Sequence, residues 1–112
     1  MRKLLAFLLF ITLAGASCKK SEPMITKYIT LGYRQTYCAD PWPMGANDTQ
    51  TLENVADYLE AEGLHVASLN MKQETSPDIC LACHCKTGKT IYASILDGES
   101  LKAKYQEIGF KP

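Results

Sequence analysis

The sequence has no excess of either charge, since 12 Lys and Arg offset 12 Asp and Glu over 112 residues. A neutral balance leaves no electrostatic footprint for nucleic acid or an anionic surface, so partners have to be read from local features. The apolar runs fall short of the ~20 residues needed for a permanent membrane span. After the N-terminal segment there is no internal repeat and no low-complexity tract, and no acid–base constellation suggests an enzyme. A phosphate-binding loop is missing too: Gly88-Lys89-Thr90 matches the end of one, but the glycine required five residues earlier is Cys83, so the segment reads as a turn. The length allows one domain with a thin core.

What is present begins at the N-terminus. Arg2 and Lys3 precede the apolar run Leu4 to Leu13, and small residues follow it, the pattern of a secretory signal. Gly15-Ala16-Ser17-Cys18 resembles a bacterial lipobox, departing from it at Gly15, where a larger aliphatic residue is usual. Cleavage there predicts a signal peptide over 1–17, a lipid anchor and tether over 18–23, and one domain over 24–112 with a charge of about −2. Acyl chains such as palmitate on Cys18 would hold the protein at a membrane of the bacterial cell envelope, the outer membrane being the expected one. In the competing reading the protein is secreted without a lipid.

Ile25 to Cys38 alternates as a strand, with Ile29, Leu31, Tyr33 and Tyr37 on one face and Thr30, Arg34 and Thr36 on the other. Asp40-Pro41-Trp42-Pro43 ends it, because proline removes backbone donors. Trp42 then covers one end of the core or stacks on a ligand. Asp48 is the expected cap of a helix from Thr49 to Glu62, whose apolar positions are Leu52, Val55, Ala56 and Leu59. Gly63 and Leu64 fit a Schellman ending. Leu64 to Lys72 reads as a second strand with Ala67, Leu69 and Met71 inward and His65 at the surface. Loop chemistry over 75–78 and 86–89 brackets the cysteines, and a third strand carries Ile91, Ala93 and Ile95. Asp97-Gly98 can cap a last helix with Leu101, Tyr105 and Ile108 on one face, ended by Gly109 and Phe110.

The order β-α-β-β-α predicts an α+β fold. A right-handed crossover makes the first two strands parallel, the third runs back between them, and both helices cover one face, a ferredoxin-like arrangement lacking its last strand. The first and second strands then end at the same pole. Cys38 leaves the first strand there, and Cys80, Cys83 and Cys85 follow the second.

Three chemistries could use these four sulfurs. Disulfides suit a small exported domain. Adjacent-but-one cysteines such as Cys83 and Cys85 would close a strained ring. Two pairings remain: Cys38 with Cys83 plus Cys80 with Cys85, or Cys38 with Cys85 plus Cys80 with Cys83. A zinc or copper site would use the same cysteines as thiolates, with His84 a possible further ligand, and a thiol-redox role would use them as an exchanging pair. Cys80-Leu81-Ala82-Cys83-His84 also matches the c-type haem attachment motif, but no methionine follows His84 to complete the iron's coordination.

Cys38-Ala39-Asp40-Pro41-Trp42, with Cys80 through Lys89 and a closing Gly109-Phe110, resembles a group of small uncharacterised bacterial lipoproteins. These pair a C-x-D-P-W motif with C-x-A-C-x-C-x-T-G and a basic residue. The resemblance implies that histidine is not required at position 84 and brings no activity with it. The expectation is a monomeric, lipid-anchored binding or interaction module without a cofactor, stabilised by its disulfides. Arg34, Asp40 and Trp42 are the expected binding surface.

Overall fold

The computed structural model describes residues 27–112. The signal, Cys18, the tether and the expected start of the first strand at Ile25 lie outside them. Three strands and two helices follow in the order β1 (Tyr28–Thr36), α1 (Asp48–Ala61), β2 (Ser68–Gln73), β3 (Lys86–Leu96) and α2 (Glu99–Ile108). The sheet order is β1-β3-β2, with β3 antiparallel to both neighbours, so the expected α+β architecture is present. Among the described residues no helix is long and apolar enough to cross a membrane.

Both helices pack on one sheet face. Leu31 and Tyr33 of β1 and Ile91, Ala93 and Ile95 of β3 meet Val55 and Leu59 of α1, Tyr105 of α2, and Phe110 behind it. This alternation is the period-2 pattern of a sheet buried on one side. The opposite face is not covered by any described element.

Five local expectations change, the first being that β2 begins at Ser68 and not at Leu64, which leaves Ala67 exposed before it. Tyr37 is exposed, because a bulge between Arg34 and Thr36 breaks the alternation and turns both Gln35 and Thr36 inward. Asn47 caps α1, its side chain accepting from the Gln50 N–H at 2.8 Å, while Asp48 is the first helical residue. Asp97 does not cap α2, whose N-cap is Gly98 with no side-chain bond. Residues 86–89 are not a loop, since β3 begins at Lys86 and contains Gly88 at φ +86°. The Gly88 carbonyl accepts from both the Glu74 and Thr75 N–H groups, so the feature read as a turn is a kink within a strand.

The Schellman endings hold at both helices: Leu64 donates to Leu59 O at 2.8 Å and Phe110 to Tyr105 O at 3.1 Å. Beyond the second, Lys111 exchanges two backbone hydrogen bonds with Gly32, at 2.7 and 2.8 Å, on the outer edge of β1. A fourth ferredoxin-like strand would lie here, and one bridge occupies its place.

Candidate functional site

The β1–β3 ladder continues past Thr36 into the cysteine segment. Tyr37 N–H donates to Cys85 O at 3.1 Å and Cys38 N–H to Cys83 O at 3.2 Å. These bonds bring residues 45 positions apart side by side, and Cys38 is joined to Cys83 while Cys80 is joined to Cys85. The Cα separations are 4.5 and 6.2 Å, both within the span a disulfide bridges. This is one of the two pairings left open by spacing. Topology places the sulfurs as expected, at the pole where β1 and β2 both end.

The intervening loop is fixed from its other side as well. Asp78 N–H donates to Lys86 O, and Lys86 N–H donates back to the Asp78 carboxylate, each at 2.9 Å. Cys85 is buried, whereas Cys38, Cys80, Cys83 and His84 are exposed. The four sulfurs are spent on one another, so in this state none is a thiolate donor for zinc or copper, and Cys80 and Cys83 are not free to carry haem thioethers. Among the described residues no cluster of three or more His, Cys, Asp and Glu is arranged to hold a metal ion.

Asp40 accepts three hydrogen bonds at one oxygen, from the Tyr33 hydroxyl at 2.8 Å, the Thr36 N–H at 3.1 Å and the Thr36 hydroxyl at 2.6 Å. It therefore ties the end of β1 to the loop after it through one of its two carboxylate oxygens. Burial raises the Tyr33 pKa above the ordinary tyrosine value, and the bond to Asp40 and its charge add to the shift. Trp42 is only 3 % exposed and packs edge-on against Tyr33 and Tyr58, so it belongs to the core and not to a surface. Its Nε1 is the one buried side-chain donor without a partner among the described residues. Arg34 is exposed on the helix-free face of the sheet. The three residues expected to form one binding surface are thus separated by the sheet: Trp42 and Asp40 serve the core side, and Arg34 faces away from it.

The residues that do stand out at the pole were not singled out from the sequence. Ile79 and Leu81 are fully exposed on the loop held by the disulfides. Tyr37 and Met44 are also exposed and line a cavity of about 360 Å³ with Pro77. Four of the six large hydrophobic residues exposed among those described thus gather at this pole. The other two, Tyr28 and Leu96, face each other at the far end of the sheet. The signal available in the sequence was two apolar residues inside a segment with loop chemistry, where neither helical nor strand periodicity could bury them.

Compared with protein-family models, curated proteins and solved structures, the chain matches none.

Proposed function

We propose that this protein is a lipid-anchored module of the bacterial cell envelope that docks onto another envelope protein through its disulfide-held loop. The observation that carries the reading is the full exposure of Ile79 and Leu81 on a segment cross-linked at Cys80 and Cys83. Exposed apolar side chains grouped in this way mark an interaction surface. Two cross-links remove conformational freedom from the loop before it meets a partner, which lowers the entropic cost of docking. The partner this chemistry fits has an apolar recess that accepts two aliphatic side chains.

The anchor is a separate part of the reading and rests on the lipobox-like 15–18 stretch and on the resemblance to small lipoproteins. β1 enters at Tyr28 and reaches the cysteine pole about 30 Å later, at the rise of an extended strand. A tether from Cys18 would therefore join the domain at the end remote from the loop, leaving the loop free to reach outward. The disulfides agree with an oxidising compartment.

A photo-cross-linking residue placed at position 81 in living cells tests the docking. A discrete adduct that disappears with Ile79→Asp is expected. Labelling no different from that at the exposed helix position Lys104 would contradict it. For the anchor, Cys18→Ser should move the protein from the membrane to the soluble fraction, and continued retention would contradict lipidation.

A further inference from the structure

We propose that the helix-free face of the sheet is a second binding site, which takes a phosphate group between Arg34, Lys86 and Lys111. The strand register lays out this face in rows. Thr30 lies beside Ser94 and Ser68, Gly32 beside Tyr92 and Asn70, and Arg34 beside Thr90 and Lys72. Apart from the Tyr92 ring these are small or polar residues, and the exposed apolar pair Tyr28 and Leu96 lies at the far end of the same face. At its centre the Thr90 and Tyr92 side chains close over Gly32, where an added Cβ would lie 3.2 Å from Thr90 Cγ2 and 3.4 Å from Tyr92 Cε1.

At the β1 edge of this face is a cavity of about 590 Å³. Arg34, Lys86 and Lys111 line it, and no Asp or Glu side chain does. Among the described residues none of the three has an ion-pair partner, the one ion pair there joining Lys89 to Asp48. Glu74, the acid beside this face, accepts from the Tyr92 hydroxyl instead, and Lys72 sits 5.7 Å from the Tyr92 ring centre. Lys111 is held at the rim by its two backbone bonds to Gly32, with Phe110 buried just before it.

This concentration of positive charge runs against the background. Residues 27–112 carry eight basic and eleven acidic side chains. On the other side of the sheet helix α1 holds Asp48, Glu53, Asp57 and Glu60 with no base, while α2 carries both signs. A single carboxylate would offset one of three cations, whereas a doubly charged phosphate offsets two, and the planar guanidinium of Arg34 can bond two phosphate oxygens at once. The phosphate can come from a soluble ester or from a lipid headgroup, and the two sources are separable.

The test uses the exported Cys18→Ser chain, so that acyl chains do not dominate vesicle binding, and follows its amide NMR signals. Inorganic phosphate, vesicles of neutral phospholipid and vesicles containing an anionic phospholipid are added in turn. Saturable shifts at Gly32, Arg34, Thr90 and Lys111 are expected with phosphate, with anionic vesicles, or with both; phosphate alone identifies a soluble source and anionic vesicles alone a headgroup. The Arg34→Gln/Lys111→Gln variant should keep its signal dispersion, since both side chains are exposed, and bind at least tenfold more weakly. Ile79→Asp, on the separate docking loop, should bind as the parent does. Absence of saturable shifts in every arm, or equal binding by the double variant, overturns the proposal.

Discussion

Asp40 gathers three donors onto one oxygen at the end of β1, two of them from the buried Thr36. Removing that acceptor leaves buried donors without a partner, so Asp40→Ala is expected to destabilise the domain by about 2–3 kcal/mol in urea unfolding. Tyr33→Phe, which removes one donor and leaves the others paired, should cost about 1 kcal/mol. The tyrosines add a pH dependence. Burial pushes Tyr105 up to about 12, and burial followed by Asp40 raises Tyr33 as well. Unfolded tyrosine ionises near pH ~10, so the unfolded chain releases these protons first. Their contribution is fully present below about pH 10 and is lost as the pH climbs through the raised values. Thermal melts should give a midpoint that falls between pH ~9.5 and ~11.5, with a smaller fall in Tyr105→Phe; an unchanged midpoint would contradict this assignment. The role of Trp42 as a cover for the core could be read from the two prolines that fix its loop. Its lack of a hydrogen-bond partner could not, because that depends on which groups face the indole after packing.

The elements fall where apolar period predicts, and their ends fall where local hydrogen bonds decide. Leu31, Tyr33, Ile91, Ala93 and Ile95 declare the buried face through simple alternation, and Val55 and Leu59 declare that of α1. The early start of β3 was hidden because Lys86-Thr87-Gly88-Lys89 has the composition of a turn. Only pairing with Glu74 and Thr75 across the strand makes Gly88 a kink in a ladder. A Cβ at Gly88 would collide with the Thr75 carbonyl, and the backbone there is at φ +86°. Gly88→Ala is therefore expected to cost about 2–3 kcal/mol, read from the urea midpoint. A midpoint equal to the parent's would mean that the kink relaxes. The inward turn of both Gln35 and Thr36 escaped periodicity for a related reason. The bulge is set by the Thr87 hydroxyl donating to the Gln35 side-chain carbonyl at 2.8 Å, a contact 52 residues apart in the chain.

At the scale of the molecule, the two cross-links differ in what they close. Cys38–Cys83 spans 45 residues and ties β1 to the segment between β2 and β3, whereas Cys80–Cys85 closes a ring within that segment. By loop-closure entropy the first should contribute about 4 kcal/mol and the second about 2 kcal/mol. Paired serine substitutions are thus expected to lower the unfolding free energy in that order, and the reverse order would place the constraint elsewhere. The convergence of four sulfurs at one pole followed from element order alone, because β1 and β2 run parallel and end together. The choice between pairings did not, since it rests on Cys38 meeting Cys83 through a backbone bond that continues the sheet. The measurement that tests the account most directly is disulfide mapping of the exported protein by partial reduction, differential alkylation and mass spectrometry. The account predicts Cys38 linked to Cys83 and Cys80 linked to Cys85, with no free thiol among the four. Recovery of Cys38 linked to Cys85, or of four cysteines alkylated before reduction, would contradict it.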